Sequence, residues 1–178
     1  MPTFRHLPER RRRDGETEAV EVTRWIQGWP WPWIGMVARI GLGVVWIIAG
    51  ALKVGDLAAS GRAVVAYRLF PPSVANTIGS VLPFLEIALG LLLILGLATR
   101  LSAIVSAVLL VAYIIGIASV WARGLRIDCG CFGSGGDLAA NAHSTYFSET
   151  IRDIGLLVVA VYLVVRPRTR LSLDALLA

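Results

Sequence analysis

Long apolar runs separated by short charged punctuation dominate the chain. The first covers residues 34–52 and is broken only by Arg39 near its start. The second, 74–98, is interrupted by Asn76, Pro83 and Glu86, and the third, 101–121, carries no charge at all. A hydrocarbon core about 30 Å thick needs about 20 apolar residues per helical crossing, so each run predicts a membrane-spanning helix. A fourth run, 154–165, has only 12 residues. It reaches membrane length if its helix starts near Ser144 and carries Glu149, Arg152 and Asp153 in its upper half. The expected fold is therefore all-α and integral to a membrane, a bundle of four transmembrane helices. Small residues on the runs, such as Gly41, Gly43, Gly50, Gly90 and Gly96, would let neighbouring helices approach closely.

Composition agrees with this pattern. The 178 residues are 56% hydrophobic and 16% charged, with a mean hydropathy of +0.71, outside the range of ordinary globular domains. A secretory signal would place a short apolar stretch near Met1, whereas 33 polar and aromatic residues come first, so the first run reads as a retained anchor. Residues 1–30 are expected to form a basic and acidic cytoplasmic tail with no core of its own, 31–166 the membrane domain, and 167–178 a short cytoplasmic tail. Trp25, Trp29, Trp31 and Trp33 crowd the approach to the first helix, as amphipathic rings do at headgroup level.

Net charge then sets orientation. A charge of +5 and a pI near 9.9 would admit a nucleic-acid partner. The arginines, however, gather at the ends of apolar runs, where they orient a membrane protein, so no nucleic acid is expected. With both termini in the cytoplasm, ten arginines lie inside and six basic residues outside, the bias that the positive-inside rule demands. Two loops then face outward, residues 54–73 and 122–143, while Thr99 and Arg100 form an inner turn too short to hold a site.

The only two cysteines fall in one motif of the second outer loop, Cys129-Gly130-Cys131-Phe132-Gly133. Cysteines one residue apart close a disulfide only through a tight, strained ring, which is more easily reduced than a structural bridge. Gly130 permits the distortion. Such a bridge closes almost no loop and so constrains the unfolded chain very little, which favours redox exchange over a structural staple. A metal site would need more ligands, and only His143 and Asp128 lie near enough in sequence to supplement the thiolates. Arg123 and Arg126 precede the motif; they either favour a reactive thiolate or merely cap a solvated helix end.

Three charged residues at membrane depth are further candidates. Glu86 lies near the middle of the second run, where an ionisable side chain is a functional candidate by default. Counting 14 residues from Arg100 to Glu86 and 14 from Arg166 to Arg152 puts both about 21 Å above the inner edge, so a Glu86–Arg152 ion pair is geometrically possible, either structural or part of a proton or quinone site. Lys53, the sole lysine beside sixteen arginines, ends the first helix on the cysteine side. It either snorkels to the interface or has a catalytic role that a compact ammonium serves better than a guanidinium.

Taken together, Gly50-Ala51-Leu52-Lys53, Leu82-Pro83-Phe84-Leu85-Glu86 with its following Ile87 to Gly90, the cysteine motif, and Arg152-Asp153 resemble the DoxX-like superfamily, specifically its methylamine-utilisation MauE branch. The likeness runs over residues 39–165, and the cysteine motif is its specific part. The resemblance implies a four-helix protein of the bacterial inner membrane that supports disulfide formation in exported proteins, alongside a thioredoxin-like partner. It implies Cys129 and Cys131 as the redox pair, with Lys53, Glu86 and Arg152 as membrane-embedded polar positions. A lipid-soluble quinone is the candidate electron acceptor, although no cofactor motif accompanies it. Two rivals stand beside this reading: a non-catalytic assembly or scaffold subunit of a membrane complex, and a small-solute carrier using Glu86.

Overall fold

The computed structural model describes residues 31–128, 136–137 and 146–166. The expected tails at 1–30 and 167–178 and the motif cysteines, Cys129 and Cys131, lie outside the described residues, as does His143. Five helices occur in the described chain: α1 (Trp31–Val54), α2 (Leu57–Ala66), α3 (Pro72–Leu95), α4 (Thr99–Ala122) and α5 (Tyr146–Val165). A two-residue antiparallel ladder, β1 (Ile127–Asp128) with β2 (Gly136–Asp137), precedes α5.

Helices α1, from Trp33, α3 and α4 are long and apolar enough to cross a membrane. Their boundaries follow local chemistry. Pro72 occupies the first turn of α3, where its missing N–H is no loss. Gly96 ends that helix in the left-handed region at φ 70°, and the Leu97 N–H bonds back to the Leu92 carbonyl at 3.0 Å. Helix α5 is described over 20 residues from Tyr146, about 30 Å at 1.5 Å per residue. Its charged upper half separates it from the three plainly apolar crossings.

The segment 54–73, expected to be an outer loop, instead contains α2. Asp56 caps it, accepting from the Ala59 N–H at 2.8 Å, and the helix then buries Ala59, Ser60, Gly61, Ala63 and Ala66. Helix α2 lies along α3, and α4 packs chiefly on α5.

Polarity is inverted relative to a water-soluble bundle. On α4, Leu101, Val108 and Ile115 lie seven residues apart on one face and are 62, 63 and 61% exposed. Ser102 and Ser106, on the opposite side of the same helix, are buried. Large apolar side chains pointing outward and small polar ones inward are what a lipid surround requires. The interior between α1, α3, α4 and α5 is filled by Leu42, Trp46, Leu89, Leu93, Ala103, Leu110, Ala160 and Leu163.

Helices α1 and α3 touch through glycine. A Cβ placed on Gly90 would lie 2.6 Å from the Gly43 carbonyl oxygen and 2.6 Å from Ile47 Cγ1. Gly90→Val is therefore expected to force the helices apart, at a cost of about 1–3 kcal/mol for overpacking. The thermal unfolding midpoint in detergent should fall accordingly; an unchanged midpoint would contradict this crossing.

Candidate functional site

A buried ion pair lies where α1, α3 and α4 converge. Lys53, in the last turn of α1, is 5% exposed and places Nζ 2.6 Å from Oε1 of Glu86, which is fully buried on α3. Tyr113 on α4 donates its hydroxyl to the same Oε1 at 2.7 Å. Lys53 Nζ also sits 5.8 Å from the centre of the Tyr113 ring, within range of a cation–π contact. Trp46 tilts against that ring at a centroid distance of 6.3 Å.

Local sequence explains the convergence. Gly50, one turn before Lys53, lets α1 meet α3 so closely that a Cβ there would stand 2.6 Å from the Pro83 carbonyl oxygen. The end of α1 is tied to α2, because Ser60 Oγ donates to the Lys53 and Asp56 carbonyls, both at 3.3 Å.

The expected Glu86–Arg152 pair is not formed. Glu86 takes Lys53 instead, and Arg152 directs Nε and Nη2 to Oδ1 of its neighbour Asp153, each at 3.0 Å. The reason is geometric: equal depth on two helices does not bring side chains together, and α5 faces α4 rather than α3. Lys53 does not snorkel either, since its ammonium is buried. Tyr113 and Trp46 were not singled out in the sequence, and Asp153 entered only as part of the Arg152-Asp153 motif. Tyr113 had a signal, being the only tyrosine in the run 101–121 and 13 residues beyond Arg100, nearly the level of Glu86.

Beside this cluster a pocket of about 200 Å³ is lined mostly by apolar groups, among them Ile78, Leu82 and Leu109. Lys53, Ser60, Tyr67 and Tyr113 supply its polar atoms. On one side it is bounded by Ser60, Ala63 and Val64 of α2, the helix against which β2 packs.

The stem that brackets residues 129–135 is held from three directions. Ile127 is buried, and its N–H donates to the Tyr146 hydroxyl at 2.7 Å. That hydroxyl in turn donates to the Leu125 carbonyl at 2.7 Å. Arg123 Nη2 donates to the Tyr67 carbonyl at 2.6 Å, tying the end of α4 to the end of α2. Arg123 thus fastens helix ends, while the cysteines it precedes lie outside the described residues. No group of three or more potential metal ligands occurs among the described residues.

Residues 31–166 match the family model described as methylamine utilisation protein MauE. The chain belongs to the MauE family. The match covers every described helix and the segment containing both cysteines. No curated protein and no solved structure matches the chain. With its apolar helices, this MauE family member is a membrane protein.

Proposed function

We propose that this MauE family member is a multi-pass thiol–disulfide redox protein of the bacterial plasma membrane, an accessory in methylamine utilisation with the wider DoxX-like fold. Helix α5 is the fourth crossing, and both termini, including the tails 1–30 and 167–178, are cytoplasmic. Cys129 and Cys131 exchange electrons with an extracytoplasmic thioredoxin-like or exported thiol protein. A partner dithiol is oxidised to its disulfide while the Cys129–Cys131 disulfide is reduced to two thiols, through a mixed disulfide.

The observation that carries this reading is the placement of the stem around residues 129–135. Its strand β2 rests on α2, whose Ser60, Ala63 and Val64 also line the pocket shared by Lys53 and Tyr113. That pocket fits an apolar ring bearing carbonyl oxygens: its walls are hydrocarbon, and Lys53 carries three donors, one of them given to Glu86. A lipid-soluble quinone bound there would accept the electron pair and two protons that reoxidation of the cysteines releases. Lys53 would orient it, and Glu86 would balance the charge of that lysine.

Orientation is tested with a membrane-impermeant thiol reagent applied to intact cells after mild reduction. Cys129 and Cys131 are expected to be labelled. Labelling that requires the membrane to be opened would place the loop in the cytoplasm and overturn the assignment.

A further inference from the structure

Three buried polar atoms on three helices have no hydrogen-bond partner among the described residues: Trp46 Nε1 on α1, Glu86 Oε2 on α3 and Asp153 Oδ2 on α5. The three residues are 3, 0 and 2% exposed. All three residues line one cavity of about 20 Å³, with Val45, Ala49 and Leu110 among its other walls. Buried donors and acceptors are almost always satisfied, and a polar cavity of roughly 10–15 Å³ is enough to hold one water.

We propose that this cavity is a binding site for a single water molecule, which links the Lys53–Glu86 and Arg152–Asp153 ion pairs. The donor and acceptor inventory matches water. An indole N–H can only donate and a carboxylate oxygen only accept, so one water accepts from Trp46 Nε1 and donates to Glu86 Oε2 and Asp153 Oδ2. A metal cation does not match: it would meet the Trp46 N–H head-on and find only two carboxylate oxygens.

The water completes a chain. Lys53 and Tyr113, which line the larger pocket, bond to Glu86 Oε1; Glu86 Oε2 meets the water; the water meets Asp153 Oδ2; and Asp153 Oδ1 holds Arg152. The Arg152 side chain is 34% exposed, so the chain runs from the larger pocket to an accessible cation. Carboxylates joined in this order within a membrane are the usual framework of a proton relay. This inference does not depend on the cysteines.

Hydroxyl-radical footprinting of the full-length protein in lipid nanodiscs tests it, since radicals generated from a bound water oxidise the side chains around it. Leu110 lines the cavity, whereas Leu42 does not, and both are 2% exposed. Leu110 is expected to be oxidised several-fold faster than Leu42 in the wild-type protein. In Ala49→Val, whose added methyl groups fill the cavity, the Leu110 rate should fall to that of Leu42. Equal rates for the two leucines in the wild type would overturn the proposal, and that comparison stands even if Ala49→Val fails to fold. A rate at Leu110 unchanged in a folded Ala49→Val variant would overturn it equally.

Discussion

Lys53→Met is expected to destabilise the protein by about 3–5 kcal/mol, because it leaves the Glu86 carboxylate buried without its counter-charge. Glu86 has no exposed surface on which to recover solvation, and the Tyr113 hydroxyl alone remains to it on Oε1. Glu86→Leu is expected to cost a similar amount by stranding the ammonium, which is only 5% exposed. Combining the two removes both charges, so the double variant should be far more stable than the sum of the singles would give. Equilibrium unfolding in mixed micelles measures all three. Additive losses would mean that Lys53 and Glu86 act independently despite their 2.6 Å separation.

That pair also shows how far the sequence carries. The apolar runs placed α1, α3 and α4, because hydrocarbon thickness converts directly into run length. Helix α5 was also legible, since its start near Ser144 was the only way to give 154–165 membrane length. Helix α2 was missed: its alanine- and serine-rich stretch has no long apolar run, and Asp56 as an N-cap was the one local signal. Charge pairing failed for a different reason. Depth along a helix can be counted from the sequence, but rotation about the axis and the choice of neighbouring helix cannot, so Arg152 was paired with Glu86 on level alone. Lys53 stood out as the only lysine, and its contacts supply a reason for that choice. Its ammonium meets Glu86 Oε1 at 2.6 Å and lies 5.8 Å from the centre of the Tyr113 ring, contacts that a compact point charge serves. Cys129 and Cys131 were singled out from spacing and motif and lie outside the described residues, with only the stem around them described.

The second large effect is expected at those cysteines. The Cys129→Ser/Cys131→Ser double variant should insert and fold as the wild type does, since a bridge across one intervening residue constrains the unfolded chain very little. The anchors of the stem, Tyr146, Arg123 and Ile127, are untouched by the change. Oxidation of exported thiol proteins attributable to this chain should nevertheless fall to the level of cells lacking it, because no thiolate remains to enter exchange. The redox state of exported thiols, read by alkylation and mass shift, measures the loss.

The central claim is exchange through a mixed disulfide, and the most direct test is to trap it. In Cys129→Ser or in Cys131→Ser, the remaining thiolate can attack the disulfide of an oxidised partner, the reverse of the proposed exchange, and form the same mixed disulfide, but the second is not there to resolve it. At least one of these single variants is expected to accumulate a covalent adduct with an exported thioredoxin-like protein, seen as a mass shift that reductant abolishes and that the double variant lacks. No adduct in either single variant, together with normal thiol oxidation in the double variant, would contradict the redox account and leave the chain as a scaffold subunit.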